Sequence, residues 1–148
     1  MTLEEIEKRL KILEDIEEIK KLHYHYLNCL TKIEWDKLFD CFSENAVVNV
    51  GKHGPRKGKA EIEPLFRNVF SKGHVGKEGN FVVHPIISVE GDKAKGSWLL
   101  YVMHLDAAQE KALDWAQGYY DMEYARENGK WKISYMGWQR RLGPPPPQ

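Results

Sequence analysis

The stretch Asn80-Phe81-Val82-Val83-His84-Pro85-Ile86-Ile87-Ser88-Val89, followed by Glu90-Gly91-Asp92, decides how the rest of the chain is read. Its run of Val, Ile and Phe closing on a Gly-Asp turn predicts a β-strand. Successive side chains of a strand point to opposite faces. Phe81, Val83, Pro85, Ile87 and Val89 therefore share one face, and Asn80, Val82, His84, Ile86 and Ser88 the other. Both sets are largely apolar, so the strand is expected to be buried on both faces. Only the second set carries an amide and an imidazole, which makes it the wall on which a site would be built.

The turn sets the partner strand. A three-residue turn at 90–92 puts His84 opposite Trp98, Val82 opposite Leu100 and Asn80 opposite Val102, with His104 on the same face at the mouth end. A two-residue turn shifts every pair by one and sets His84 against Leu99. Further on, Asn128-Gly129 is a strong hairpin dipeptide. It pairs Tyr124 with Ile133, Met122 with Tyr135 and Tyr120 with Gly137, the face expected to meet the helix and pocket. Tyr119, Met136 and Trp138 then fall on the outer face, where large apolar groups suggest a subunit interface.

Upstream the periodicity changes. Thr2 and Glu5 have capping-box spacing, and residues 2–31 are predicted helical. Leu3, Ile6, Leu10 and Leu13 recur at three-four spacing on a charged arm that packs on a partner subunit or on its own core. The following segment is the main core helix, with Ile16, Ile19, Tyr26 and Leu30 near one stripe. His23 and His25 are two apart and diverge, so they are poor joint metal ligands. Thr31 and Glu34 form a second capping box, opening a short helix through Trp35 and Phe42. A strand at 46–50, a turn, a helix over 60–70 and a glycine-rich loop at 71–79 complete this half. The order is α+β: a cone-shaped, curved antiparallel sheet wrapped around an N-terminal helix, open at one end. Residues 1–142 form one domain, and 143–148 are a proline-rich tail that cannot join a sheet.

Composition narrows the function classes. The chain has 148 residues, 42% hydrophobic and 30% charged, which suits one core and one pocket. Lys plus Arg and Asp plus Glu are both 22, leaving no basic excess for nucleic acid or anionic lipid. Cys29 and Cys41 form neither a CxxC pair nor a metal set and are read as reduced thiols of a cytoplasmic protein. No apolar run is long enough for a membrane span. No phosphate loop, nucleophile elbow or metal-ligand spacing is present.

Several short patterns together resemble a known family. They are Leu22-x3-Tyr26, Trp35-Asp36-x-Leu38, Gly58-x-x-Glu61-Ile62, Pro85-x-Ile87-x-Val89-Glu90-Gly91-Asp92-x-Ala94-x-Gly96-x-Trp98, and Tyr120-x3-Tyr124 followed by Asn128-Gly129-x-Trp131-x-Ile133. In spacing they resemble the SnoaL-like branch of the nuclear-transport-factor-like superfamily, over residues 13–142, and most of all its bile-acid and scytalone dehydratases. The resemblance implies a cone-shaped α+β barrel, also termed cystatin-like, and a homo-oligomer, dimer or trimer. It also implies acid–base elimination or isomerisation of hydrophobic ring compounds, with no metal and no cofactor. Enzymes of that type carry a His at the start of the second long strand, an Asp near the helix end or on the neighbouring strand, and a helix Tyr. Carried over, the Tyr falls on Tyr26, the helix Asp on Thr31, the strand Asp on Val102 and the His on Asn80. The tyrosine is kept and the His–Asp pair is absent.

The candidate site follows. His84 is the candidate base, or a satisfied core histidine. Tyr26 is the acid or oxyanion donor, or a core tyrosine. Asn80 orients a substrate carbonyl, or bonds its own loop. Trp98, Val102, His104, Tyr120, Met122, Tyr135 and Trp35 are expected to bind a small hydrophobic molecule. The alternative is a non-catalytic binding or scaffold protein of the same fold.

Overall fold

The computed structural model describes residues 1–106 and 108–143; the proline tail expected beyond Gly143 lies outside the described residues. The chain runs α1 (Leu3–Lys32), α2 (Trp35–Phe39), β1 (Phe42–Val50), β2 (Pro55–Lys57), α3 (Lys59–Pro64), β3 (Gly79–Glu90), β4 (Lys93–Asp106), β5 (Lys111–Glu127) and β6 (Lys130–Leu142). The six strands form one sheet in the order β2-β1-β6-β5-β4-β3, edged by β2 and β3 and not closed. All neighbours are antiparallel except β1 and β6, which run parallel, so the sheet is mixed.

Thr2 caps α1 as its spacing predicts: its hydroxyl accepts from Glu5 N–H and the Glu5 carboxylate accepts from Thr2 N–H. The second capping box does not form. The helix continues through Thr31 and stops at Ile33, in the left-handed conformation at φ 60°. This leaves the Thr31 hydroxyl free for another partner. Residues 1–14 are exposed throughout, so the apolar arm does not fold back on its own core. From Asp15 onward α1 lies on the concave face of the sheet. Ile19, Tyr26, Leu27 and Leu30 share one core with Leu100, Tyr120, Met122, Ile133 and Met136. Burial of each such large apolar side chain contributes about 1.5–3 kcal/mol. His23 holds a place on this stripe, and Ile16 is only half-buried. Phe42, expected in the short helix, begins β1 and packs on Tyr26. The helix expected over 60–70 divides at Pro64 into α3 and a wider turn over Leu65–Val69.

Two bulges correct the expected facing of side chains. Near its turn β3 pairs Glu90 with Lys93 and Ile87 with Gly96; beyond the bulge it pairs Val83 with Leu99 and Asn80 with Val102. Both registers read from the sequence are therefore present, one on each side. Two residues, His84 and Pro85, occupy the space opposite Trp98, and His84 takes φ 53°. The inward set becomes Asn80 and Val82 before the bulge and Ile87 and Val89 after it. Ile86 and Ser88 turn outward, and Ile86 is 74% exposed. The strand is thus covered on one face only. In β6 the register slips beside Ser134, so Tyr124 pairs with Ile133 but Glu123 pairs with Tyr135 and Met122 with Met136. Met136 is buried and Trp138 packs against the core, contrary to their expected outer placement.

Candidate functional site

The interior of the cone is an aromatic network. Trp98 Nε1–H donates to the Tyr124 hydroxyl at 2.9 Å, and His23 Nδ1 lies 3.1 Å from the same oxygen. Tyr120 meets the His23 ring edge-on at 5.0 Å, and Tyr26 packs edge-on against Phe42 and Phe66. Tyr26 and Tyr120 are 2% and 3% exposed. Burial holds His23 neutral, its pKa lowered to about 3. Burial also raises the pKa of Tyr26, Tyr120 and Tyr124, so all three phenols stay protonated. Cys41 is likewise pushed up to about 12 by burial, an inert thiol rather than a nucleophile.

The open end differs. Asn80 begins the inward alternation of β3, and its amide donates to the Thr31 hydroxyl at 3.3 Å. Val102 on β4 stands opposite Asn80, and Ala116 on β5 stands opposite Val102. One step outward His104 pairs with Asp114, and His104 Nδ1 lies 2.6 Å from the carboxylate. His104 continues the inward series Trp98, Leu100, Val102, and Asp114 the inward series Tyr120, Gly118, Ala116. An Nδ1–H held by a carboxylate leaves Nε2 as the acceptor nitrogen of the ring.

Three segments frame this mouth. In the loop before β3, Glu78 accepts from the backbone N–H groups of Val75 and Gly76, and Gly76 lies beside Thr31 and Ile33 at the helix end. Lys77 of that loop bridges to Glu110 of the β4–β5 connection at 2.5 Å. Gly143, following β6, lies against Ala116, and its carbonyl accepts from Arg140.

The structure thus divides the residues singled out from sequence. Asn80, Val102 and His104 come together at the mouth. Tyr26, Trp98, Tyr120 and Met122 lie in the interior. Trp35 packs at the helical side, its ring 6.3 Å from Phe66. His84 sits in the bulge, exposed, and is not brought to Tyr26, which corrects its expected place on the inner wall. Tyr135, turned outward by the β6 bulge, lines an outer groove with Lys95, Asp121 and Glu123 rather than the pocket. Asp114 was not singled out from sequence, and His23 was weighed there only as a metal ligand. Asp114 becomes visible only once β4 and β5 are paired, although the alternation of Asp114, Ala116 and Gly118 was a readable signal. Among the described residues no group of three His, Cys, Asp or Glu side chains could hold a metal ion. Among the described residues no helix is long and apolar enough to cross a membrane.

The fold is shared with several solved structures. A hexachlorocyclohexane dehydrochlorinase, LinA-type3 of Novosphingobium barchaimii, superposes with TM-score 0.75 at 20% identity over 88% of each chain. A candidate scytalone dehydratase of Novosphingobium aromaticivorans gives 0.74 at 14% identity over 88% of this chain and 86% of that one. An NTF2-like protein with a cystatin-like fold from the same organism gives 0.73 at 21% identity, over 93% and 88%. The SnoaL-like domain model matches residues 11–137, nearly the whole α1-and-sheet unit just described, and the chain belongs to that family.

Proposed function

We propose that this protein is a cofactor-independent lyase or isomerase, dehydratase-like, acting on a small hydrophobic ring compound at the open end of the cone. The observation that carries this reading is the composition of the mouth. Asn80, Thr31, His104 and Asp114 surround an apolar patch of Val102 and Ala116. Elimination and isomerisation need a base, a proton donor and an apolar seat for the ring, and no electron carrier. The activities for which the dehydrochlorinase and the candidate scytalone dehydratase are named are of this kind. The reading includes a homo-oligomer, dimer or trimer, supported by exposed Phe81, Ile86, Trp115 and Tyr119 on the outer face.

The test is methyl NMR of the protein titrated with naphthol and cyclohexenone. Saturable shifts at Val102 and Ala116 are expected. Shifts confined to the outer groove around Tyr135 and Lys95 would remove the mouth as the site. A second reading, a non-catalytic binding or scaffold protein, is favoured by Asn80, Thr31 and Val102 at the positions where the resemblance places a His–Asp pair. It predicts the same shifts with no turnover.

A further inference from the structure

We infer that His104 and Asp114 form the general-base dyad of this protein, with His104 as the catalytic residue and Asp114 as its positioning residue. The inference rests on the lyase or isomerase reading and names the base that reading lacks.

The other imidazoles are placed elsewhere. His84 is exposed in the bulge. His23 is sealed in the interior with its Nδ1 engaged by Tyr124. His25 lies on the exposed side of α1 beside Cys29, and His74 is held on the Phe70 carbonyl. His53 packs on Phe70 in the turn after β1. Among the described residues only His104 has a carboxylate on one ring nitrogen while sharing the inner face of the mouth.

The local backbone explains the placement. His104–Asp114 is the last regular pair before the β4–β5 register slips, so the dyad stands on paired strands at the rim rather than on the connection. Asn80 is the diagonal neighbour of His104 across Val102, and such neighbours lie about 7–8 Å apart. The chemistry then balances. Nε2 takes a proton from a carbon next to an activating group, and the C–H electron pair becomes a new π bond. In elimination the leaving group departs with its bonding pair. In isomerisation the proton returns at another carbon. Asp114 offsets the positive charge that forms on the ring.

The probe is nitrobenzisoxazole, a small ring compound opened by proton abstraction, with the N–O bond breaking to release a coloured cyano-nitrophenolate. The wild-type protein is expected to give saturable turnover. His104→Gln should lower kcat at least about tenfold. Asp114→Asn should lower kcat with KM little changed, and nitrogen-edited NMR should show the His104 proton redistributed between the two ring nitrogens. Should His104→Gln fail to fold, the near-isosteric Asp114→Asn carries the test. His84→Gln should match wild type. Saturable turnover that persists in His104→Gln and Asp114→Asn overturns the dyad and leaves the lyase reading standing. No saturable turnover by wild type overturns both and favours the binding protein.

Discussion

His23 stacks on Trp98 with ring centroids 4.5 Å apart and planes 17° from parallel, and both rings lean on the Tyr124 hydroxyl. An indole nitrogen only donates, so Trp98 takes one lone pair of the Tyr124 oxygen. His23 Nδ1 meets the same hydroxyl, so the only other nitrogen of the imidazole is Nε2. That atom is buried and has no partner. The stack is therefore built for a neutral ring.

Acid should destabilise the fold through this residue. His23 has a pKa of about 3 when folded against 6.5 for an unperturbed imidazole. Below pH 6.5 the unfolded chain binds a proton that the folded chain does not. The His23 contribution is whole above that pH and falls by about 1.4 kcal/mol per pH unit as the pH drops toward 3. Urea unfolding of wild type and His23→Phe between pH 7 and pH 4 measures it, and the variant should have the shallower dependence. Equal slopes would place a solvated histidine there.

His84 is a backbone position rather than a chemical one. Its φ of 53° is costly for most side chains and easy for glycine. His84→Gly should leave stability within about 0.5 kcal/mol, and His84→Val should cost about 1–2 kcal/mol, because a β-branched side chain crowds this conformation. Thermal unfolding of both variants decides it. A destabilised His84→Gly would point to side-chain contacts at this position.

Asp15 pins the middle of α1 to the last hairpin. Its side chain is 4% exposed, bonds Lys11 at 2.6 Å and Trp131 Nε1 at 3.3 Å, and pairs with Arg126, which also stacks on Trp131. Burial alone would raise its pKa, and these donors hold it below the ordinary range. Asp15→Ala leaves the half-sheltered Arg126 with only the exposed Asp92 as its carboxylate and takes the acceptor from Trp131 Nε1, and should cost about 3 kcal/mol. Lys11→Ala, at the exposed side, should cost under about 1 kcal/mol. Denaturant midpoints give both, and equal losses would mean that Lys11 is the partner that matters.

Gly118 makes room for Trp138. A Cβ at Gly118 would lie 2.4 Å from the indole. Gly118→Ala should displace that ring and cost about 1–3 kcal/mol. Near-ultraviolet circular dichroism and the unfolding midpoint should change together. An unchanged indole signal would show that the backbone moves instead.

Much of the architecture was legible because its signals are local. The Thr2–Glu5 box, the three-four spacing of α1, the Asn128-Gly129 turn and the alternation on β4 and β5 each involve residues a few positions apart. The Asn80–Thr31 contact was half legible. The resemblance placed the family's strand His and helix Asp at these two positions, and the structure bonds them to each other. The second capping box misled because Thr31 had a tertiary partner to prefer over a local one. Facing failed where a single added residue, at His84 in β3 and at Ser134 in β6, reversed the alternation beyond it.

By itself the sequence determined the helix on a curved sheet and the inward series from Trp98 to His104, and its resemblance set Asn80 where the family's enzymes carry a His. Only the tertiary structure decided that His84 and Tyr135 leave the inner wall, that His23 enters it, and that Asp114 meets His104 at the mouth. The physical reason is the range of the interactions. Alternation and helical period arise between neighbours in the chain. A bulge arises where a strand must follow the bend of the whole sheet, and a cross-strand dyad exists only when two strands have found their register.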